Sequence, residues 1–162
     1  MEEQTVTMGH LRTVDSFCQL LDRLIVARLK EWHYKRDNRH KEATLAREQA
    51  DELSDAARDY LRECLDGERE PRVHQHLRYH EHASDKQVAK SLMDVVSRLV
   101  SYHAQYWDAQ GRVLSLRKAE APDYEEIHRW QLICDGANQQ RSVLIETGDD
   151  LLRRMWEARK SA

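Results

Sequence analysis

The sequence predicts an all-α protein: an antiparallel four-helix bundle made of two degenerate helical hairpins joined by a short irregular linker. Three observations carry that prediction. Only five glycines and two prolines occur in 162 residues, and 34% of the residues are charged, a composition of long helices and few turns. Apolar positions recur in steps of three and four through four long stretches, the seam of helices that face other helices. Features of the first half return in the same order in the second. The length suits one domain over 1–162, large enough to bury a core, with hairpin one over about 13–66, a linker over 67–84 and hairpin two over about 85–159.

The first helix starts at a cap offered by Thr13 or Asp15 and runs to about Lys35. Its seam is Val14, Phe17, Leu21, Leu24, Arg28 and Glu31, widened by Leu20, Ile25 and Trp32. Asp37-Asn38-Arg39-His40 forms the turn. The second helix spans about Lys41 to Leu65, with Ala43, Ala46, Ala50, Leu53, Ala57, Leu61 and Cys64 inward; the small residues let a neighbour approach closely. Asp66-Gly67 ends it, glycine taking its usual place after a helix. Ser84 and Gln87 make a capping box for a third helix, about Asp85 to Arg117, with the seam Ala89, Leu92, Val96, Leu99, His103, Tyr106, Gln110 and Val113. Pro122-Asp123, with Glu126 three beyond the aspartate, starts a fourth helix that reaches about Arg159. Its seam is Ile127, Trp130, Cys134, Ala137, Arg141, Leu144, Gly148, Leu151 and Met155. A shift of 75 lays Arg23-Leu24 on Arg98-Leu99, Trp32 on Trp107 and Arg28 on His103, whereas helices two and four need 83. We read this as duplication of a hairpin.

Composition narrows the function classes. Net charge is -3, from 29 acids and 26 bases, which gives no electrostatic ground for nucleic acid as the main partner. No run of eighteen apolar residues is available to span a membrane. Met1-Glu2-Glu3-Gln4 is too acidic and polar for a secretory signal. Cys18, Cys64 and Cys134 are odd in number and form no CxxC pair, the usage of reduced thiols in a cytoplasmic protein.

Arg141 falls in the middle of the fourth seam, and a charge buried there needs a partner. Arg28 and His103 occupy matching seam positions. Antiparallel hairpins set Arg28 level with Asp51 and His103 level with Asn138, and Asn138 and Asp149 flank Arg141 on the helical wheel. One reading is a buried hydrogen-bonded network that fixes helix register. The other is an anion pocket in which Arg28, Lys30, His103, Asn138, Arg141 and Asp149 hold a nucleotide, a sugar phosphate or an acidic peptide.

Other motifs point less far. The ExxD pairs Glu63/Asp66 and Glu146/Asp149, with Glu48, Asp51 and Glu52 upstream, suit the Mg²⁺ chemistry of all-helical nucleotide pyrophosphohydrolases. Glu48 to Asp66, however, lie along one rod and do not converge. His74, His76, His80 and His82 form HxH-x3-HxH, where His76 and His80 could share a metal on a helix, but the surroundings read as a polar linker. A carboxylate-bridged di-metal bundle needs two ExxH motifs, and Glu125/His128 is the one clear case. No GxSxG, glycine-rich phosphate loop or triad supports nucleophilic catalysis. Trp32, Trp107, Trp130 and Trp156 sit on or beside seams, as core or interface residues.

The run Leu24-Ile25-Val26-Ala27-Arg28-Leu29-Lys30-Glu31-Trp32-His33 resembles an N-terminal signature of an uncharacterised family of small helical proteins from bacteria and tailed phages. A second signature is similar to Asp135, Asn138, Arg141, Leu144-Ile145, Glu146 and Asp149. The two cover about a third of the chain, on the first and fourth helices. Where that family continues with acidic residues after the histidine, this chain has Tyr34-Lys35-Arg36. The resemblance implies an all-helical cytoplasmic protein of bacterial or phage type and carries no established activity. Taken together, the expectation is a non-enzymatic binding or interaction protein without a cofactor. Its partner would be an anionic small molecule or another protein, with room for a homodimer. The alternative is a Mg²⁺-dependent hydrolase using the ExxD pairs.

Overall fold

The computed structural model describes residues 15–73 and 89–161. Among these are four helices: α1 Phe17–Arg36, α2 His40–Leu65, α3 Leu92–Arg117 and α4 Tyr124–Lys160. The all-α bundle of two closely packed hairpins is as predicted.

The caps explain the helix ends. Ser16, not Thr13 or Asp15, opens α1: its side chain accepts the Gln19 N–H, and the Gln19 side chain accepts the Ser16 N–H at 2.8 Å. Ser16-x-x-Gln19 is thus a capping box that the sequence reading passed over. At the other end Asn38 has φ 58. Its N–H donates to the Lys35 carbonyl and the Arg39 N–H to that of Tyr34 at 2.8 Å, so a left-handed asparagine closes the helix where glycine usually does. Gly67, φ 79, performs the same closure on α2, with the Glu68 N–H donating to the Glu63 carbonyl. Helix α3 begins later than expected: Ser91 is its cap, accepting the Asp94 N–H at 3.1 Å. Residues 89–91 are not helical, and the Ser84/Gln87 box and the histidines from His74 to His82 lie outside the described residues. Asp123 caps α4 as predicted, accepting from the Glu125 and Glu126 amides at 3.0 Å each.

Helix α1 packs against all three others. From Asp22–His103 to His33–Trp107 the contacts advance together along α1 and α3, so those two helices run the same way and both hairpin turns lie at one end. The advance is eleven residues on α1 but four on α3, so the helices cross at an angle. The core lies at that crossing, where Cys18 and Leu20 of α1 meet Val95, Leu99, Leu144, Ile145 and Leu152, with Tyr60 of α2 closing one side. Gly148 makes the crossing tight: a Cβ there would collide with the Cys18 Sγ and lie 3.0 Å from a Val95 methyl. Because α1 is surrounded, its buried set (Phe17, Cys18, Leu20, Asp22, Ala27, Glu31) follows no single stripe. Arg28, assigned to the core by the three–four stepping, is exposed, and so is Trp32 at 57%. Past the crossing, the end of the α3–α4 hairpin buries only Ala109, Val113, Ile127 and Ala137 between its own helices and leaves Leu114, Tyr124 and Leu132 exposed.

Candidate functional site

The polar centre forms around a residue the sequence reading did not select. Asp22 of α1 is buried and bridges the two hairpins. Its Oδ1 accepts from His103 Nε2 at 2.7 Å and from Arg141 Nε at 3.1 Å, and its Oδ2 accepts from Arg141 Nη2 at 2.8 Å. The guanidinium thus makes a fork on one carboxylate, the strong geometry for this pair. Arg141 Nη1 donates to Asn138 Oδ1 at 2.8 Å. Burial pushes the Asp22 carboxyl upward, but the hydrogen bonds and positive charge of His103 and Arg141 outweigh it and hold the group below the usual aspartate range. His103, Asn138 and Arg141 therefore do belong to one network, though His103 answers Asp22 and not Asn138.

Asp149 does different work. Fully buried two turns along α4 from Arg141, its Oδ1 accepts the Cys18 N–H at 2.9 Å. Cys18 lies in the first turn of α1, so α4 supplies a carboxylate to the positive end of that helix. Burial, then the charge and hydrogen bond of Asp149, drive the Cys18 thiol far up, and burial lifts Cys64 to about 11. Both remain protonated packing groups rather than nucleophiles.

Arg28 forms a separate cluster on hairpin one. It donates to Glu31 at 3.0 Å and, as the hairpin register predicted, to Asp51 at 2.7 Å. Lys35 reaches the same Glu31 at 2.6 Å, and its ammonium holds that carboxyl below the ordinary value. Lys30 sits half-buried on the same helix. The six sequence-predicted site residues therefore fall into three places: Arg28 on the flank of hairpin one, with Lys30 on the same helix; His103, Asn138 and Arg141 around Asp22; and Asp149 at the start of α1. The ExxD pairs also separate, since Glu63 pairs with Arg69 at 2.8 Å while Asp149 turns into the core. Among the described residues no group of three or more His, Cys, Asp or Glu side chains could hold a metal ion.

Asp22 and Glu31 were legible in one respect. They are the only carboxylates in the twenty residues of α1, and a basic residue set in a seam elsewhere requires a buried acid.

A groove of about 500 Å³ opens between α3 and α4 beyond the network. Tyr106, Val113 and Leu132 give it an apolar floor, Arg117 and His128 stand toward the hairpin end, and Asn138 closes the inner end. Asn138 joins groove and network, because the same side chain holds Arg141. Cys134, half-buried, also faces the groove.

No family model matches the chain, and no curated protein or solved structure matches it.

Proposed function

We propose that the protein is a non-enzymatic binding protein whose ligand is an amphipathic anion, an apolar body with a carboxylate or phosphate, taken in the groove of the α3–α4 hairpin. One observation supports this above the others: the guanidinium at the polar centre is answered by the protein itself. Arg141 spends its fork on Asp22 and a further N–H on Asn138, which leaves the centre as a register lock rather than a vacant anion site. The groove combines what the centre lacks. Its volume is that of a small-molecule pocket, Tyr106, Val113 and Leu132 supply apolar surface, and Arg117 and His128 offer N–H donors at one end, with Asp135 the one carboxylate in the lining. Among the described residues the acids are dispersed, which favours binding over metal-assisted hydrolysis. No helix of the described residues is long and apolar enough to cross a membrane.

A thermal-shift panel of medium-chain carboxylates, nucleotides and sugar phosphates tests the reading. A ligand at ~100 times its Kd stabilises by roughly 2.7 kcal/mol, and the same ligand should shield Cys134 from alkylation. Arg117→Glu should remove both effects, at a cost to the free protein of about 1 kcal/mol because Arg117 lies in the last turn of α3. No shift from any member of the panel, or a shift indifferent to Arg117→Glu, overturns the assignment.

A further inference from the structure

The outer face of α3 carries a second stripe that the fold leaves largely to solvent. Met93, Ser97, Val100, Ala104, Trp107 and Gly111 follow one another in steps of four and three, the spacing of a helix–helix seam. The residues that α3 buries, Val95, Leu99, His103, Ala109 and Val113, lie roughly 145° away around the helix at 3.6 residues per turn. Met93 is 72% exposed and Val100 44%. Ser97, Ala104 and Gly111 are exposed, and a methyl added at Gly111 would meet nothing within 4 Å. Trp107 is half-buried, with one face of its ring stacked on His33 at 4.4 Å.

Bulk alternates along this stripe. Met93, Val100 and Trp107 are large; Ser97, Ala104 and Gly111 are small. Laid antiparallel on a second copy, Met93 meets Gly111, Ser97 meets Trp107 and Val100 meets Ala104, so each large side chain fills the space over a small one. Laid parallel, Trp107 would fall on Trp107 and Gly111 on Gly111.

The charges beside the stripe have the same symmetry independently. Asp94, Arg98, Asp108 and Arg112 read minus, plus, minus, plus. Reversed, the row reads plus, minus, plus, minus. All four lie on one flank of the stripe, so an antiparallel copy sets Asp94 opposite Arg112 and Arg98 opposite Asp108, while a parallel copy turns the two rows to opposite sides of the contact, where they do not meet. The two centres fall one residue apart, at 102 for bulk and 103 for charge, a difference the long arginine side chains span.

We propose that the outer face of α3 is a self-association surface, on which a second copy of this chain docks antiparallel about a two-fold axis beside residues 102 and 103. Such a contact is isologous and closes on itself as a dimer. Its footprint, roughly 27 Å by 11 Å from the helix rise and diameter, is about 600 Å² over the two copies, below the size of stable specific interfaces, so the dimer is a weak, transient one. It is separate from the groove, because Tyr106, Gln110 and Val113 line the groove from a face of α3 roughly 120° around the helix from the stripe.

Sedimentation equilibrium from roughly 10 µM to 2 mM, a range that reaches weak affinities, should show the mass rising from 19.2 kDa toward twice that value. Ala104→Arg, at an exposed position, should hold the mass at one chain and leave the helical circular dichroism intact. Arg98→Glu and Asp108→Arg should each weaken the dimer at least ~10-fold, and the double variant should return to within ~3-fold of the original, because the paired charges are exchanged across the axis. The Arg98–Asp94 contact within α3 is lost in both the single and the double variant, so recovery reads the contact between copies. A single-chain mass at every concentration overturns the proposal, as does a dimer that survives Ala104→Arg. Absence of recovery in the double variant overturns the antiparallel register.

Discussion

Arg28 and Arg141 look alike in sequence, each in a seam and each within reach of carboxylates, yet they do opposite jobs. Arg141 links hairpin two to α1, with its side chain 19% exposed against a carboxylate 12% exposed. Arg28 links neighbours within hairpin one, 47% exposed, to an Asp51 that is 60% exposed. The contacts are of similar length. What differs is water: at the crossing each partner has exchanged its hydration shell for the other, whereas on the flank solvent competes with and screens every charge. Burial, more than pairing, therefore decides which arginine the fold depends on.

That contrast is sharpest at Asp22. Asp22→Ala leaves Arg141 and His103 buried without their acceptor, and breaking such a pair costs about 3–5 kcal/mol. A chain of this size loses roughly 2–4 °C of melting temperature per kcal/mol, so the transition should fall by more than about 6 °C with the groove side chains untouched. Titration gives a second readout with a definite sign. The folded-state carboxyl is held below its ordinary 3.8, so its contribution is complete above that value and is lost as pH falls through the lower, folded one. The unmodified protein should therefore show an acid-side loss of stability below about pH 4 that Asp22→Ala has already forfeited. Equal acid sensitivity in the two proteins would place the network outside the stability of the fold.

The second break addresses the helix crossing itself. Gly148→Ala forces a methyl against the Cys18 sulfur and a Val95 methyl in a fully packed core. Overpacking of this kind costs about 1–3 kcal/mol. The same methyl at Gly136, where nothing lies within 4 Å, should stabilise α4 by a few tenths of a kcal/mol up to ~1, since alanine is the better helix former. Opposite signs for the two alanines, measured by denaturant melts, would confirm that α1 and α4 touch at Gly148; equal signs would contradict it.

How far such contacts can be read from sequence differs by helix. The face of α2 follows its period because it presents one side to its neighbour: Ala43, Ala46, Ala50, Leu53, Ala57 and Cys64 are buried as the pattern demands; on α4 Ile127, Ala137, Leu144 and Gly148 follow it, but Met155, expected in the seam, is exposed and Leu152 is buried instead. Helix α1 defeats the same logic because it is contacted from three directions. A residue off the expected stripe, such as Asp22 or Cys18, is then as deep as one on it, and Arg28 on the stripe reaches solvent. The candidate site was half-legible for the same reason. Arg141 in a seam demanded an acid, but the partner lay 119 residues away, on the one helix whose pattern does not mark its inner face. Asp149 was selected for its place beside Arg141, and its actual task, holding the first turn of α1, depends on an inter-helix register that spacing along α4 does not contain.

The smallest effect should come from the flank. Arg28→Ala removes contacts to Glu31 and Asp51, but Lys35 still holds Glu31 at 2.6 Å, and Asp51 is largely hydrated already. Exposed pairs of this kind contribute about 0–1 kcal/mol, less in high salt. The expected shift is therefore under ~1 kcal/mol at low ionic strength and close to none at ~1 M salt, where screening lengths fall to about 3 Å. The Asp22 effect should persist in the same buffer, because buried pairs are screened far less. If Arg28→Ala instead matched Asp22→Ala in size and resisted salt, the arginine would have to be shielded by something outside the described residues, and the distinction between the two clusters would collapse.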